Sequence, residues 1–352
     1  MFILDAHLDL SMNALEWNRD LRQPIDAIRA REEGKTDKPD RGLNTVCFPE
    51  MHKGRVGCCV ATLIARHVKT GNPLPGWHSP EQAWAQTQGQ LAWYREMERQ
   101  GYLRNLRTSA EFQAHVVTWE PGQPIGYVLS LEGADSILEP GLLERSYELG
   151  LRAVGPAHYG PGTYAPGTGV TGPLSPKGRE LLAEMDRLGM ILDVTHLSDE
   201  SFWEVLDLYQ GPVWASHSNS RVLVPDQRQL SDDQIRALIE RGAVIGASFD
   251  AWMLVPGWER WVSHPSNTDV GLQHVADHIE HICTLAGSAR FSGLGTDLDG
   301  GFGREQAPSD LETIADLQKL PEILSRKGFS AEEIEGILHG NFSRFLIGAL
   351  PG

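Results

Sequence analysis

The chain has 352 residues, a formal net charge of −16 at pH 7 and 41% hydrophobic residues, with ten Trp. That apolar content supplies a substantial core and excludes a disordered chain, while the acidic balance argues against a nucleic-acid backbone or an anionic membrane surface as partner. The four cysteines (Cys47, Cys58, Cys59, Cys283) form no C-x-x-C pair, so no disulfide framework is expected.

The first strand is expected at 2–7 (FILDAH), and it runs into the stretch "DAHLDL" at 5–10. In a strand, His7 and Asp9 point to one face. Burying such groups unpaired costs several kcal/mol, so they need partners, a metal ion or an open cavity. Residues 11–55 are long and charge-rich and read as an insertion after this strand. Further strands are expected at 56–65, 124–132, 151–158, 190–196, 212–217, 243–249 and 291–297. The Gly- and Pro-dense segment 160–178 follows the fourth strand, where it would form either a rim of the site or a plain connector.

Helical patterns with clear ends separate the strands. "SPKGRELLAEMDRLG" offers Ser175 as N-cap, Pro176 at the first helical position and Leu181, Leu182, Met185 and Leu188 as an apolar stripe. "LSDDQIRALIERGA" opens on Ser231 and closes on Gly242, and "SAEEIEGILHGNFSRFL" has capping-box spacing from Ser330 to Glu333. Eight strands alternating with helices imply a parallel sheet. A single α/β domain over 1–352, a (β/α)8 TIM-type barrel, is preferred to an open doubly wound sheet.

The polar residues then fall into a pattern. His7 and Asp9, Glu132, His158, His196, His217 and Asp297 all sit near the carboxyl ends of expected strands, the rim that carries chemistry in such barrels. Several histidines with three carboxylates suit zinc better than calcium or magnesium. The set is too large for one tetrahedral ion with an open position, and two ions sharing a carboxylate would use it better. His67 and Asp250 are also placed at the rim. His274, His278 and His281 have helical spacing but read as a solvated face, and Asp299 as a turn-stabilising acid. No G-x-S-x-G elbow, P-loop or G-x-G-x-x-G after a strand is present.

"SLEGADSI" (130–137), "EMDRLGMILDVTHLSDESFWEVLD" (184–207), "ASHSNSRVL" (215–223), "ERGAVIGASF" (240–249), "GLGTDLDGG" (293–301) and "GNFSRFL" (340–346) resemble the membrane (renal) dipeptidase family, peptidase family M19. The resemblance implies a (β/α)8 barrel binding two Zn2+ ions (other divalent transition metals being alternatives) and cleaving dipeptides with a metal-bridging hydroxide. By resemblance, His7 and Asp9 match metal ligands, Glu132 the carboxylate shared by both ions, and His196 and His217 the pair on the second ion. Asp297 matches the acid that accepts and donates the proton, His158 the histidine at the scissile carbonyl oxygen, and Arg228 the arginine for the substrate's terminal carboxylate. Ala6 stands where the family usually has glycine and Leu8 where it has a polar residue, and "AHYGPGTYAPGTG" (157–169) differs from the usual segment. A dipeptide is therefore the expected small-molecule substrate. Another small amide, a lactone or an N-acyl amino acid is the alternative for the same metal chemistry. A homodimer is implied by resemblance. Met1 runs straight into a strand pattern and no apolar run could span a bilayer, so neither membrane nor nucleic acid is an expected partner and the expected location is cytoplasmic.

Overall fold

A computed structural model describes residues 1–260 and 262–352. The β-branched runs become parallel strands: β1 (Ile3–Leu8), β2 (Val56–Ile64), β3 (Leu103–Asn105), β4 (Ile125–Glu132), β5 (Leu151–Gly155), β6 (Ile191–Asp193), β7 (Val213–Trp214), β8 (Ile245–Ala247) and β9 (Ser292–Leu294). Nearly every strand residue is buried, as expected when helices cover one face and the barrel interior the other. The sheet runs β7-β6-β5-β4-β2-β1-β9-β8. One bridge, Ala215 to Ile245, joins its two ends, with Ala215 N donating to Val244 O at 3.1 Å and Gly246 N to Ala215 O at 2.9 Å. The result is a nearly closed (β/α)8 barrel. At this seam a Cβ on Gly295 would lie 1.7 Å from Ser216 O, so only glycine admits the close backbone approach.

All eight expected strands form, mostly shorter than the sequence pattern implies. β3 is additional: it pairs with the first residues of β4 (Leu103 with Ile125), below the point where β5 joins at Leu129. Three residues at a sheet edge carry too little periodicity to be recognised. The register of β1 against β2 shifts between Asp5 and Leu8, and β1 ends before Asp9. The irregular register falls in the stretch that holds His7, so simple strand alternation does not explain why His7 and Asp9 share a site.

Leu4, Ala6, Val60, Val128, Ile191 and Trp214, from strands around the ring, form one apolar cluster with Phe342 and Leu346 of the last helix. The helices Pro176–Leu188 and Asp232–Glu240 begin as the sequence indicates. Ser175 accepts from Gly178 N, and Ser231 and Gln234 form a reciprocal capping box. The Ser330 capping box is also present, but its helix stops at Glu335. A π turn over Gly336–Gly340 intervenes before the helix Asn341–Ala349. All four cysteines are buried and free. Among the described residues no helix is long and apolar enough to cross a membrane.

The 11–55 segment carries the helices Ile25–Glu32 and Phe48–Lys53 around a buried charge network. Arg19 donates to Glu32 Oε1 (2.9 Å) and Oε2 (3.1 Å), Asn13 Oδ1 (2.8 Å), Asp40 O (3.0 Å) and Asp40 Oδ2 (2.9 Å). Asp299 takes a structural role: its oxygens accept from Thr45 N (2.7 Å), Thr45 Oγ1 (2.8 Å) and Val46 N (3.0 Å), tying this segment to the carboxyl end of β9. The solvated face expected of His274, His278 and His281 is not what forms. His278 is fully buried, with Nδ1 accepting from Ser220 N at 3.1 Å, while His281 meets Asp232 at 2.8 Å and His274 Nδ1 accepts from Gly271 N. These partners come from elsewhere in the fold or from a helix end, which periodicity does not report.

Candidate metal centre and substrate cavity

The strand ends deliver one polar group after another to a single mouth. His7 lies near the end of β1 and Glu132 ends β4. His158, His196, His217, Asp250 and Asp297 each lie three residues past Gly155, Asp193, Trp214, Ala247 and Leu294, the last residues of β5 to β9. Asp193 organises two of these turns by accepting from Thr195 N (3.0 Å) and Ser216 N (3.1 Å). His196 (φ 71°) and Asp297 (φ 59°) are both left-handed, a conformation that costs a non-glycine residue free energy and recurs at functional sites.

Glu132 is the hub. Its Oε1 lies 3.2 Å from His196 Nε2, 3.4 Å from His217 Nε2, 3.5 Å from His7 Nε2 and 3.9 Å from His158 Nε2. His7 Nε2 is also 3.9 Å from Asp9 Oδ1 and 3.8 Å from Asp297 Oδ1. Thr62 Oγ1 contacts Asp9 Oδ1 closely. The outer ring nitrogens are held by hydroxyls: Thr168 Oγ1 sits 2.8 Å from His196 Nδ1, and Ser216 Oγ 2.9 Å from His217 Nδ1. Each hydroxyl can accept a hydrogen bond from Nδ1–H, which leaves the Nε2 lone pairs directed inward.

Without cations this arrangement is electrostatically unsettled. Burial works against a His7 cation, but Glu132, Asp9 and Asp297 outweigh it and push His7 up to about 10. Burial, reinforced by the Glu132 charge, raises Asp9 to about 7, and burial holds Asp297 well above the carboxylate range. Burial drives His196 and His217 well below the usual imidazole range, so both are neutral. Glu132 is held well below its usual range, burial notwithstanding, by His158 and His7. The buried His7 Nε2 makes no hydrogen bond among the described residues, and His196 Nε2 faces His217 Nε2 at 3.2 Å. Among the described residues, ligand atoms converge in three overlapping sets: His7, Asp9, Glu132; Glu132, His196, His217; and His7, His217, Asp297. Nitrogen and oxygen donors grouped in this way suit divalent transition-metal ions, with Glu132 common to two sets.

The centre forms the floor of a cavity of about 650 Å³, a size suited to a small molecule. Arg228, buried against this cavity, donates through Nη2 to His217 O (2.7 Å) and through Nη1 to Ser218 Oγ (3.2 Å), while its Nε has no partner among the described residues. Asp250 lines the same space. Burial raises it to about 7, and it accepts from Trp252 Nε1 (2.6 Å) and Gln306 Nε2 (2.8 Å). His67 contributes only its backbone N–H, to Asp135. Segment 160–178 does not line the cavity; its contribution is Thr168 on His196.

Among the cavity residues that escape sequence reasoning are Arg66, Tyr159 and Arg260. Arg66 Nη2 lies 2.6 Å from His158 Nδ1, and Arg260 Nη2 donates to Tyr159 OH at 3.2 Å. Arg66 and Tyr159 lie just beyond the ends of β2 and β5, a positional signal that residue type does not carry, whereas Arg260 lies in the long segment between β8 and β9 and has no such signal. Burial, with Arg66 and Arg228 against Glu132, brings His158 down to about 3.

The sequence profile of the membrane dipeptidase family, peptidase family M19, matches residues 1–348. An uncharacterized dipeptidase of Schizosaccharomyces pombe is 32% identical over 226 residues, covering 62% of this chain and 52% of that protein. The dipeptidase tcpJ of Claviceps purpurea is 31% identical over 232 residues, 63% of this chain and 51% of its own. The matches thus span about half the length of these relatives. Among solved structures, a dipeptidase AC of family M19 superposes with a TM-score of 0.81 at 24% identity, covering 100% of this chain and 99% of that one. A Rhodobacter sphaeroides metallopeptidase, solved with a phosphinate mimic of L-Ala-D-Ala, gives 0.79 at 23% identity over 99% of both chains. These likenesses carry the fold, and the whole-length profile match carries the membership. The chain belongs to the membrane dipeptidase family, peptidase family M19.

Proposed function

We propose that this chain is a dinuclear zinc dipeptidase. The observation that supports it is the convergence of four imidazole Nε2 atoms within 3.9 Å of one Glu132 oxygen, with Asp297 beside them and Arg228 in the same cavity. His7, Asp9 and Glu132 would hold one ion, and Glu132, His196 and His217 the other. Once bound, two dications supply a nucleophilic water of lowered pKa and polarise the scissile carbonyl.

The protein's own groups do the rest. Asp297 accepts the proton of the attacking water and passes it to the leaving amine. His158 Nε2–H donates to the carbonyl oxygen as negative charge builds there. Arg228, its guanidinium fixed by His217 O, presents its remaining N–H groups to the substrate's terminal carboxylate, for which two parallel hydrogen bonds are the preferred geometry. A pocket of about 650 Å³ closed by these groups favours dipeptides over long chains.

The test is a panel of L,L and L,D dipeptides, their amides, lactones and N-acyl amino acids, assayed with zinc-loaded protein and with Arg228→Met. Dipeptide turnover that falls in Arg228→Met only for substrates with a free carboxylate supports the proposal. Turnover confined to lactones, or an Arg228→Met variant indifferent to the carboxylate, refutes it.

A further inference from the structure

Arg66 has no part in the proposed ligand set, yet it touches the residue assigned to the carbonyl oxygen. It lies two positions beyond Ile64, at the carboxyl end of β2. Its Nη1 donates to Pro75 O at 2.7 Å, and its Nη2 sits 2.6 Å from His158 Nδ1. A guanidinium nitrogen carries only donors. The contact at Nδ1 therefore requires a lone pair on that nitrogen, and a neutral imidazole accepting at Nδ1 carries its proton on Nε2. An imidazolium has no such lone pair and is excluded by the same contact.

The remaining neighbours hold the ring's direction. His158 O accepts Thr168 N at 2.9 Å. The ring meets Tyr159 edge-on at 5.0 Å and His196 at 4.5 Å. Gly133 follows Glu132 at φ 72°, and a Cβ there would press to 3.2 Å from His158 Cβ. Nε2 therefore faces the metal centre, 3.9 Å from Glu132 Oε1.

We propose that Arg66 is a positioning residue for the hydrolysis: its guanidinium fixes His158 as the Nε2–H tautomer and so aims a hydrogen-bond donor at the oxygen that becomes negative when the amide is attacked. This rests on the role given to His158 above. Arg66 acts through His158 rather than on the substrate, much as outer partners orient the ligands of metal sites. The assignment gives the strand β2 mouth a part in the reaction, which its sequence (ARHV) does not announce.

The experiment compares wild type, Arg66→Lys, Arg66→Met and His158→Gln, all zinc-loaded. Metal content, kcat and KM are measured on the best dipeptide, together with the ring-nitrogen NMR of 15N-histidine-labelled protein. The His158 signals are assigned by their loss in His158→Gln. Expected are a single Nε2–H tautomer for His158 in wild type, its loss in Arg66→Met, and a kcat lowered about 10- to 100-fold with KM nearly unchanged. Arg66→Lys, which keeps a donor, should retain the tautomer and recover part of kcat. An Nδ1–H tautomer in wild type overturns the proposal. So does unchanged kcat in Arg66→Met, a rise in KM alone (a substrate contact), or loss of zinc (a loop staple). If His158→Gln stays fully active, the role of His158 fails instead. If no dipeptide is turned over, the function proposed above fails while the tautomer readout still decides the geometry.

Discussion

Replacing Arg19 by Met tests how strongly the charged 11–55 segment is held against the barrel. Arg19 is 2% exposed, and its guanidinium makes five hydrogen bonds to Glu32, Asp40 and Asn13, with Asp299 at 3.9 Å. Methionine fills much of the same volume but leaves Asp40 and Asp299 buried without their counter-charge, and Glu32 with Arg41 alone at 2.7 Å. Removing one partner of such a buried set costs about 3–5 kcal/mol. At about 2.1 cal/mol/K of unfolding entropy per residue, 352 residues give about 0.74 kcal/mol/K, so Tm should fall by about 4–7 °C.

The deficit should also depend on pH. Asp299 is raised to about 6 by burial against the pull of Arg19, and without Arg19 it rises further. A carboxyl whose folded pKa lies above its unfolded value destabilises the fold once pH exceeds that value, and the cost vanishes below the unfolded pKa. The gap between wild type and Arg19→Met should therefore narrow as pH falls from about 8 toward about 5. Scanning calorimetry on identically metal-loaded samples reads both quantities. A Tm within about 1 °C of wild type, or a gap that widens on acidification, would refute this reasoning.

Asp297→Asn should keep both ions, since Asp297 lies outside the five proposed ligands, yet lose about 10²–10⁴ in kcat, the usual worth of a positioned acid–base; elemental analysis beside steady-state kinetics reads both. His196→Ala should lower zinc content from two ions toward one per chain by the same analysis, leaving the set of His7, Asp9 and Glu132 intact. Zinc binding to metal-free protein should release protons, because His7, at about 10, must give up its proton to become a ligand. Calorimetric titration in buffers of different ionisation enthalpy should show that release, with affinity rising from pH 6 to pH 8, and a pH-independent affinity would contradict it.

The architecture and the clustering of polar residues at one barrel mouth are legible in the chain because both follow from short-range regularities. β-branched runs recur at intervals that only βα units satisfy, and a metal-binding residue type follows nearly every run. What escapes is whatever depends on contacts between distant segments. The strand expected at 190–196 ends at Asp193 because the next turn bends His196 into a left-handed conformation, which residue identity alone does not reveal. His278 looks solvated on a helical wheel, yet its partner is the backbone of Ser220, 58 residues earlier. Arg66 resembles any surface charge until His158, 92 residues later, arrives beside it. The capping box at Ser330 is local and visible, while the π turn over Gly336–Gly340 that follows it has no such local signature.

The left-handed backbone at His196 and Asp297 narrows the routes by which this mouth could acquire new chemistry. Only glycine, asparagine, aspartate and histidine enter that conformation with modest penalty, and β-branched side chains fit it worst. A library randomised at these two codons should thus return few folded clones beyond those four residues. Diversification of this scaffold is better aimed at cavity positions such as Tyr159 and Arg260, whose backbone imposes no such toll.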